Sequence, residues 1–590
     1  MNVRALLRTL LLALLVMLAG CSASKPIADV PATAGKTPTV PPSPAKPAPP
    51  RPTTEADKTL NEVAAPMPAS MPEPPRQPPP AMQRGAMSKG MVASAYMAAP
   101  MVMPSMQPMP GDTNTENYTH RDTNPVQLVT EQPVSTFSID VDTGSYTNVR
   151  RMLSAGQLPP ADAVRAEEFI NYFDYGYTPP ADREQPFSIT TELAPAPWNA
   201  QRQLLLIGIQ GYRVPAAEIP ASNLVFLIDT SGSMDEPDKL PLLKASLKQL
   251  VRELRKQDRV AIVTYAGSAG VALPSTAGDQ HATITAAIDS LGAGGSTNGG
   301  AGIELAYAQA EQGFIKGGVN RVILATDGDF NVGTVSQEAL KTTIEDHRKS
   351  GVALTTLGFG EGNYNDAMAV MLADAGNGSH HYIDSLQEGR RVLVDEMSAT
   401  LLTIARDVKI QVEFNPAQAQ EYRLIGYEKR LLKREDFNND KVDAGEIGAG
   451  ANVTAIYEIT PNGSAAARID PLRYGNPSAS RGGNELAFLR LRYKLPGQSD
   501  SKLIERPIAV QAEARASERL RYAAAVAAFA DALRGGKYLD GYGYAQIAQL
   551  ASGARGGDAD GYRAGFVQLV KLADGLATHG HGDASDTAAR

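Results

Sequence analysis

The 590-residue chain has a single cysteine, Cys21, so no disulfide can staple it and its folded part must hold by packing. It has no basic excess: 56 Lys+Arg stand against 64 Asp+Glu, a formal net charge of -8, which argues against nucleic acid as a partner. Its apolar run from Leu10 to Leu18 is too short for a membrane span. Histidine is scarce, at 7 residues, and no Ser/His/Asp ordering of a hydrolase and no phosphate-cradling glycine loop stands out.

What is present begins with an export signal over residues 1–21: Arg4 and Arg8 give a positive start and Leu10 to Leu18 an apolar core. Leu18-Ala19-Gly20-Cys21 resembles the bacterial lipoprotein processing box, which implies acylation of Cys21. Ser22 follows where an Asp would retain the protein at the inner membrane, so the expected address is the outer membrane of a Gram-negative envelope. Residues 22–115 are dense in Pro, Ala, Met, Ser and Thr and cannot bury enough apolar surface to offset the entropy of ordering. They read as a tether, about 50 Å long as a coil and about 280 Å if fully extended as polyproline II. Its methionines, Met67 to Met109, are soft donors of the kind Cu(I) takes, but no His or Cys reinforces them, and compositional drift is the simpler reading.

The most informative run is Leu224-Val225-Phe226-Leu227-Ile228 followed by Asp229-Thr230-Ser231-Gly232-Ser233. Five apolar residues in succession read as a strand buried on both faces, and in open α/β sheets the crevice beyond such strand ends takes the ligand. Asp229, Ser231 and Ser233 therefore present one carboxylate and two hydroxyls, hard oxygen donors suited to Mg²⁺, Mn²⁺ or Ca²⁺. A glycine-rich loop, Gly294 to Gly300, adds the Thr297 hydroxyl, and a second apolar strand, Val322 to Thr326, delivers Asp327. Asp-x-Ser-x-Ser, a loop Thr and a strand-end Thr-Asp-Gly together form the pattern of a metal-ion-dependent adhesion site. On these residues the chain resembles the von Willebrand factor type A domain, which implies that Asp229, Ser231, Ser233, Thr297 and Asp327 hold the metal.

Alternating strand and helix patterns over residues 221–402 predict a doubly wound, mainly parallel α/β sheet for this domain. It follows a lipoprotein signal (1–21), the tether (22–115) and an N-terminal flanking region (134–220). It precedes a β-rich C-terminal flanking region (403–510) and an alanine-rich helical region (511–578). In the flanks the hydrophobic period returns to two, as at Gln203 to Ile209, Val408 to Phe414 and Val453 to Ile459, which predicts antiparallel strands. We read the type A domain as inserted into one shared sandwich; two separate small domains fit the patterning equally. Further stretches, Val134 to Thr143, Phe169 to Asp174, Ala266 to Gly270 and Gly426 to Arg430, are similar to the bacterial YfbK-like lipoproteins from about Val134 onward.

Three other candidates carry less. Asp142-Thr143-Gly144 matches one loop of an aspartic protease, but such enzymes need two carboxylates sharing a proton and no second loop occurs, so a strand end and helix cap is the better reading. Asp436 to Asp440 has alternating oxygen ligands, yet Lys441 and Ile447 stand where a calcium loop needs Gly and Glu. His380 and His381 are adjacent, so on a strand they face opposite ways and read as surface or edge residues.

The expected function is a non-catalytic, lipid-anchored envelope protein that captures a partner protein's acidic side chain on a bound divalent metal, most simply Mg²⁺. The alternatives are a structural envelope protein stiffened by the metal and, less favoured, a hydrolase, since a catalytic metal needs a base beside its bound water.

Overall fold

The computed structural model describes residues 115–587 apart from 140, 297–298, 329–335, 471–482, 512 and 514. The export signal, Cys21 and the tether up to residue 114 therefore lie outside the described residues.

Strands β1 (Gln127–Leu128), β2 (Val134–Ser138), β3 (Phe187–Ala196) and β4 (Asn199–Gly211) precede the central region. That region holds β5 (Ser222–Asp229), β6 (Arg259–Tyr265), β7 (Ala269–Ala277), β8 (Val319–Thr326), β9 (Ala353–Gly358) and β10 (His380–Tyr382). After it come β11 (Thr403–Phe414), β12 (Ala419–Ile425), β13 (Gly445–Gly448), β14 (Asn452–Pro461), β15 (Glu485–Lys494) and β16 (Ser501–Ala509).

The central strands form one sheet in the order β10-β9-β8-β5-β6-β7, parallel except for β7, which folds back antiparallel on β6. All eight residues of β5 are buried, because helices cover both faces of the sheet. On one face Leu243, Leu247 and Leu250 of helix Leu240–Val251 and Ile284 and Ile288 of helix His281–Ser290 pack against Phe226, Ile228 and Ile262. On the other, Ile303, Ala306 and Tyr307 of helix Gly299–Gln312 and Leu340 and Ile344 of helix Gln337–Arg348 pack against Val225, Leu227 and Leu324. This is the doubly wound, mainly parallel α/β arrangement expected for residues 221–402. From β5 the chain winds first to β6 and later to β8 on the opposite side, so the topological switch point lies between β5 and β8.

Strands from before and after this insert are interleaved. One sheet runs β1-β12-β14-β4-β3; in the other, β11 pairs with β15 along one edge and with β2 and β13 along the opposite edge, while β16 follows β15. Phe137, Leu205, Ile207, Ile410, Val412, Tyr457 and Leu489 share the core between them, so the shared-sandwich reading holds. Helices Gly144–Ser154, Ala166–Asn171, Glu518–Leu533, Tyr544–Ser552 and Tyr562–Thr587 gather on the outer face of the first sheet, where Phe169, Phe529 and Phe566 meet Leu204, Leu206 and Ile456. Among the described residues no helix is long and apolar enough to cross a membrane.

The insert is gripped at its β10 edge by the N-terminal segment. The His380 N–H donates to Asp142 Oδ1 at 2.8 Å, and the Thr143 N–H donates to the His380 carbonyl at 3.4 Å. Arg150 forks onto Asp384, with both bonds at 2.6 Å, and reaches Glu388 at 2.9 Å. Arg165 reaches Asp366 at 2.6 Å.

Candidate metal centre

β5 and β8 run in register, Ile228 opposite Ala325, so the next residues along, Asp229 and then Asp327, emerge side by side at the carboxyl edge of the sheet. Both carboxylates are fully buried. Asp229 Oδ1 accepts the Ser231 N–H at 2.9 Å, a turn that folds the loop over its own acid. Its Oδ2 accepts from the Tyr265 hydroxyl at 3.1 Å and from Thr326 Oγ1 at 3.4 Å. The same loop brings Ser231 Oγ and Ser233 Oγ to 3.0 Å of each other. The second loop is latched to the first: the Gly232 N–H donates to the Gly295 carbonyl at 3.1 Å, and the Gly294 N–H to the Thr230 carbonyl at 2.8 Å. Thr297, two residues beyond Gly295, lies outside the described residues. The structure therefore brings together Asp229, Ser231, Ser233 and Asp327, and the loop that leads to Thr297.

Burial pushes the Asp229 carboxyl up to about 6, and the neighbouring Asp327 charge adds to it against the lowering effect of the Ser231 and Tyr265 hydrogen bonds. A buried acid in this state gains from a dication beside it. Among the described residues no cluster of three or more His, Cys, Asp or Glu is placed to hold a metal. The donors here are two carboxylates and two serine hydroxyls, a hard set that fits Mg²⁺, Mn²⁺ or Ca²⁺ and lacks the nitrogen or sulfur ligands that softer metals favour. Asp229 would hold the ion with the two serines, and Asp327 would balance its charge.

Three side chains at the centre carried no sequence motif. Tyr265 ends β6, adjacent to β5, and caps Asp229. Lys239 Nζ lies 3.1 Å from Asp327 Oδ2, and Asn363 Nδ2 donates to the same oxygen at 3.2 Å. Register with β5 is the one signal that could have found Tyr265. Nothing local marks Asn363, which arrives on the Gly360 to Asn365 loop after β9.

Elsewhere the structure corrects one reading. His380 and His381 do face opposite ways, but both are buried, because the N-terminal segment covers the β10 edge. His380 Nδ1 and Nε2 meet Thr356 Oγ1 and Tyr364 Oη, both at 2.9 Å. His381 is bonded to Thr143 Oγ1 at 3.0 Å and Ser379 Oγ at 2.9 Å. Asp142 is a structural anchor paired with Lys429 at 2.7 Å, and Thr143 begins helix Gly144–Ser154 without a side-chain cap. The Asp436 to Asp440 loop is filled by cations of the protein: Lys409 Nζ donates to the Asp436 and Asn439 carbonyls, and Arg492 pairs with Asp440.

Three family models match the chain: von Willebrand factor over residues 112–206, von Willebrand factor type A domain over 223–390, and Uncharacterized protein YfbK, C-terminal, over 399–576. The chain is 54% identical over 471 residues to Uncharacterized protein YfbK of Escherichia coli K12, covering 78% of this chain and 82% of that protein. It is 30% identical over 188 residues to Uncharacterized protein sll0103 of Synechocystis, covering 31% of this chain and 43% of that one. Among solved structures it is similar to von Willebrand factor type A from Catenulispora acidiphila, with 16% identity, 65% of this chain and 89% of that chain covered, and a TM-score of 0.37.

Proposed function

Given that the chain belongs to the YfbK family and carries a von Willebrand factor type A domain, we propose that it is a non-catalytic envelope protein that holds a partner through a divalent metal. The observation that carries this reading is the buried Asp229 carboxylate at the sheet's switch point, beside two serine hydroxyls 3.0 Å apart and the second acid Asp327. The ion supplies an electrophilic position for an acidic side chain of the partner; Mg²⁺ is the simplest choice for an all-oxygen set. The hydroxyls carry no charge, so two carboxylates only balance the dication and leave it able to attract a third. The described neighbours of the acids, Tyr265, Thr326, Lys239 and Asn363, all hold carboxylates, and the reading assigns none of them as a base. Acylation of Cys21 would fix the protein to the outer membrane, with the 22–115 tether giving the folded part its reach.

The test is capture from envelope extract with the mature chain as bait in Mg²⁺. Wild type should retain a partner that EDTA releases, and Asp229→Ala should fail to retain it while keeping a wild-type circular dichroism spectrum. Retention indifferent to EDTA would overturn the reading. A large rise in melting temperature with Mg²⁺ and no metal-dependent capture would instead favour a purely structural metal. Labelling with radioactive palmitate, present in wild type and absent in Cys21→Ala, checks the anchor.

A further inference from the structure

Lys239 occupies a position that local physics disfavours. It begins helix Leu240–Val251 at the N-cap, where a small oxygen-bearing side chain is preferred and where the helix dipole repels a cation. Its backbone is in an unusual conformation, φ -112° and ψ -111°, and it makes no capping bond. The side chain is nevertheless only 6% exposed and runs inward to Asp327. There Nζ lies 3.1 Å from Asp327 Oδ2 and 3.2 Å from Asn363 Oδ1, and Asn363 Nδ2 closes the ring on the same Asp327 oxygen.

The room for this path is built by the loop opposite. Gly360 has φ +74°, and a Cβ there would fall 2.1 Å from Lys239 Cε and 2.6 Å from its Cγ, so no larger residue leaves the channel open. The loop is strapped by the segment from Thr115 to Asn117. The Thr115 N–H donates to the Gly362 carbonyl at 2.8 Å, the Gly362 N–H to Glu116 Oε1 at 3.0 Å, and the Asn117 N–H to the Tyr364 carbonyl at 3.1 Å.

We propose that Lys239 is a resident cation of the metal centre: its ammonium competes with the divalent ion for Asp327, weakens metal binding, and leaves the loaded site with a net positive charge. This rests on the metal-site reading above. Two carboxylates and a dication sum to zero, and the ammonium makes the loaded site +1. That surplus is what draws an acidic partner, while repulsion between the ammonium and the ion loosens the metal itself. The device sets the site to prefer metal and acidic ligand together over metal alone.

The experiment is isothermal titration of the metal-stripped mature chain with Mn²⁺ and, separately, Mg²⁺. Lys239→Met keeps the stem and removes the charge, and it should bind the ion at least about tenfold more tightly than wild type, as expected from removing a unit charge near the ion in a screened interior. Lys239→Gln, kept in case the methionine variant folds poorly, should shift the same way, and Lys239→Arg should stay near the wild-type value. A merely structural lysine would lower the melting temperature without tightening the metal; affinity unchanged or weakened in both neutral variants overturns the proposal. Asp229→Ala separates the two levels. If wild type binds and Asp229→Ala does not, the site stands whatever the lysine variants show; no binding in wild type or the lysine variants overturns the site and the proposal with it.

Discussion

At the scale of single residues, the molecule buries several ionisable groups against partners of their own. His381 is the clearest case, because both ring nitrogens are spent on hydroxyls, Thr143 Oγ1 and Ser379 Oγ. Burial holds its pKa down at about 4, with the Asp142 charge opposing and His380 adding to the depression. A depressed histidine contributes stability that is complete above about 6.5 and is lost as pH falls through about 4, because the unfolded chain takes up the proton first. The His381 contribution should therefore fall between pH 6.5 and 4, by on the order of 3 kcal/mol at most, against the gain that the raised Asp229 carboxyl gives in the same window, so the comparison is between wild type and a His381 variant. His381→Gln should abolish that fall, and a slope unchanged in the variant would remove His381 as its cause. What the residue scale showed in the sequence was the oxygen-bearing motif, since Asp229, Ser231 and Ser233 sit within five positions after an apolar run. Lys239, Asn363 and the burial of His380 were not legible, because each depends on a segment remote in sequence closing over it.

At the scale of elements, β5 and β8 were legible because burial on both faces leaves Leu224 to Ile228 and Val322 to Ala325 as unbroken apolar runs. The chain between Ala161 and Asn171 does not form one continuous helix. A short 3₁₀ turn spans Ala161–Ala163, and the helix starts at Ala166. Ser145 Oγ fills the break, donating to the Ala163 carbonyl at 2.6 Å and accepting the Arg165 N–H at 2.8 Å. The alanine-rich C-terminal helices were read as helices but not placed, since small residues on every side give no face a preference; the structure buries helix Glu518–Leu533 almost entirely. Between elements, Arg150 joins helix Gly144–Ser154 to Asp384 and Glu388 of the insert. Arg150→Met leaves Asp384 buried without its fork, while Glu388 keeps Arg391 at 3.3 Å. We expect a loss of about 3 kcal/mol in denaturant melts, the usual cost of stranding a buried charge. A loss below about 1 kcal/mol would show that the contact is no more than a surface pair.

At the scale of the whole molecule, interleaving makes the two flanks one unit. A fragment from residue 403 to 510 lacks β2, β3 and β4, so β11 and β14 each lose a neighbour and Ile410 and Tyr457 lose Phe137, Leu205 and Ile207. Such a fragment should show no cooperative melt, and adding residues 115–220 on a second chain should restore one. An independently folding fragment would contradict a shared core. The type A domain, by contrast, has its own cores on both faces of its sheet. The sandwich was the open question in the sequence because a period of two names strands but not their partners.

The central claim is that one divalent ion binds where Asp229, Ser231, Ser233 and Asp327 meet. Electron paramagnetic resonance of Mn²⁺ titrated into the mature chain tests it most directly. One bound ion per chain in wild type, with binding abolished in Asp229→Ala and strongly weakened in Ser231→Ala and Thr297→Ala, is the predicted result. Undiminished binding in Asp229→Ala, or no bound ion in wild type, would contradict it.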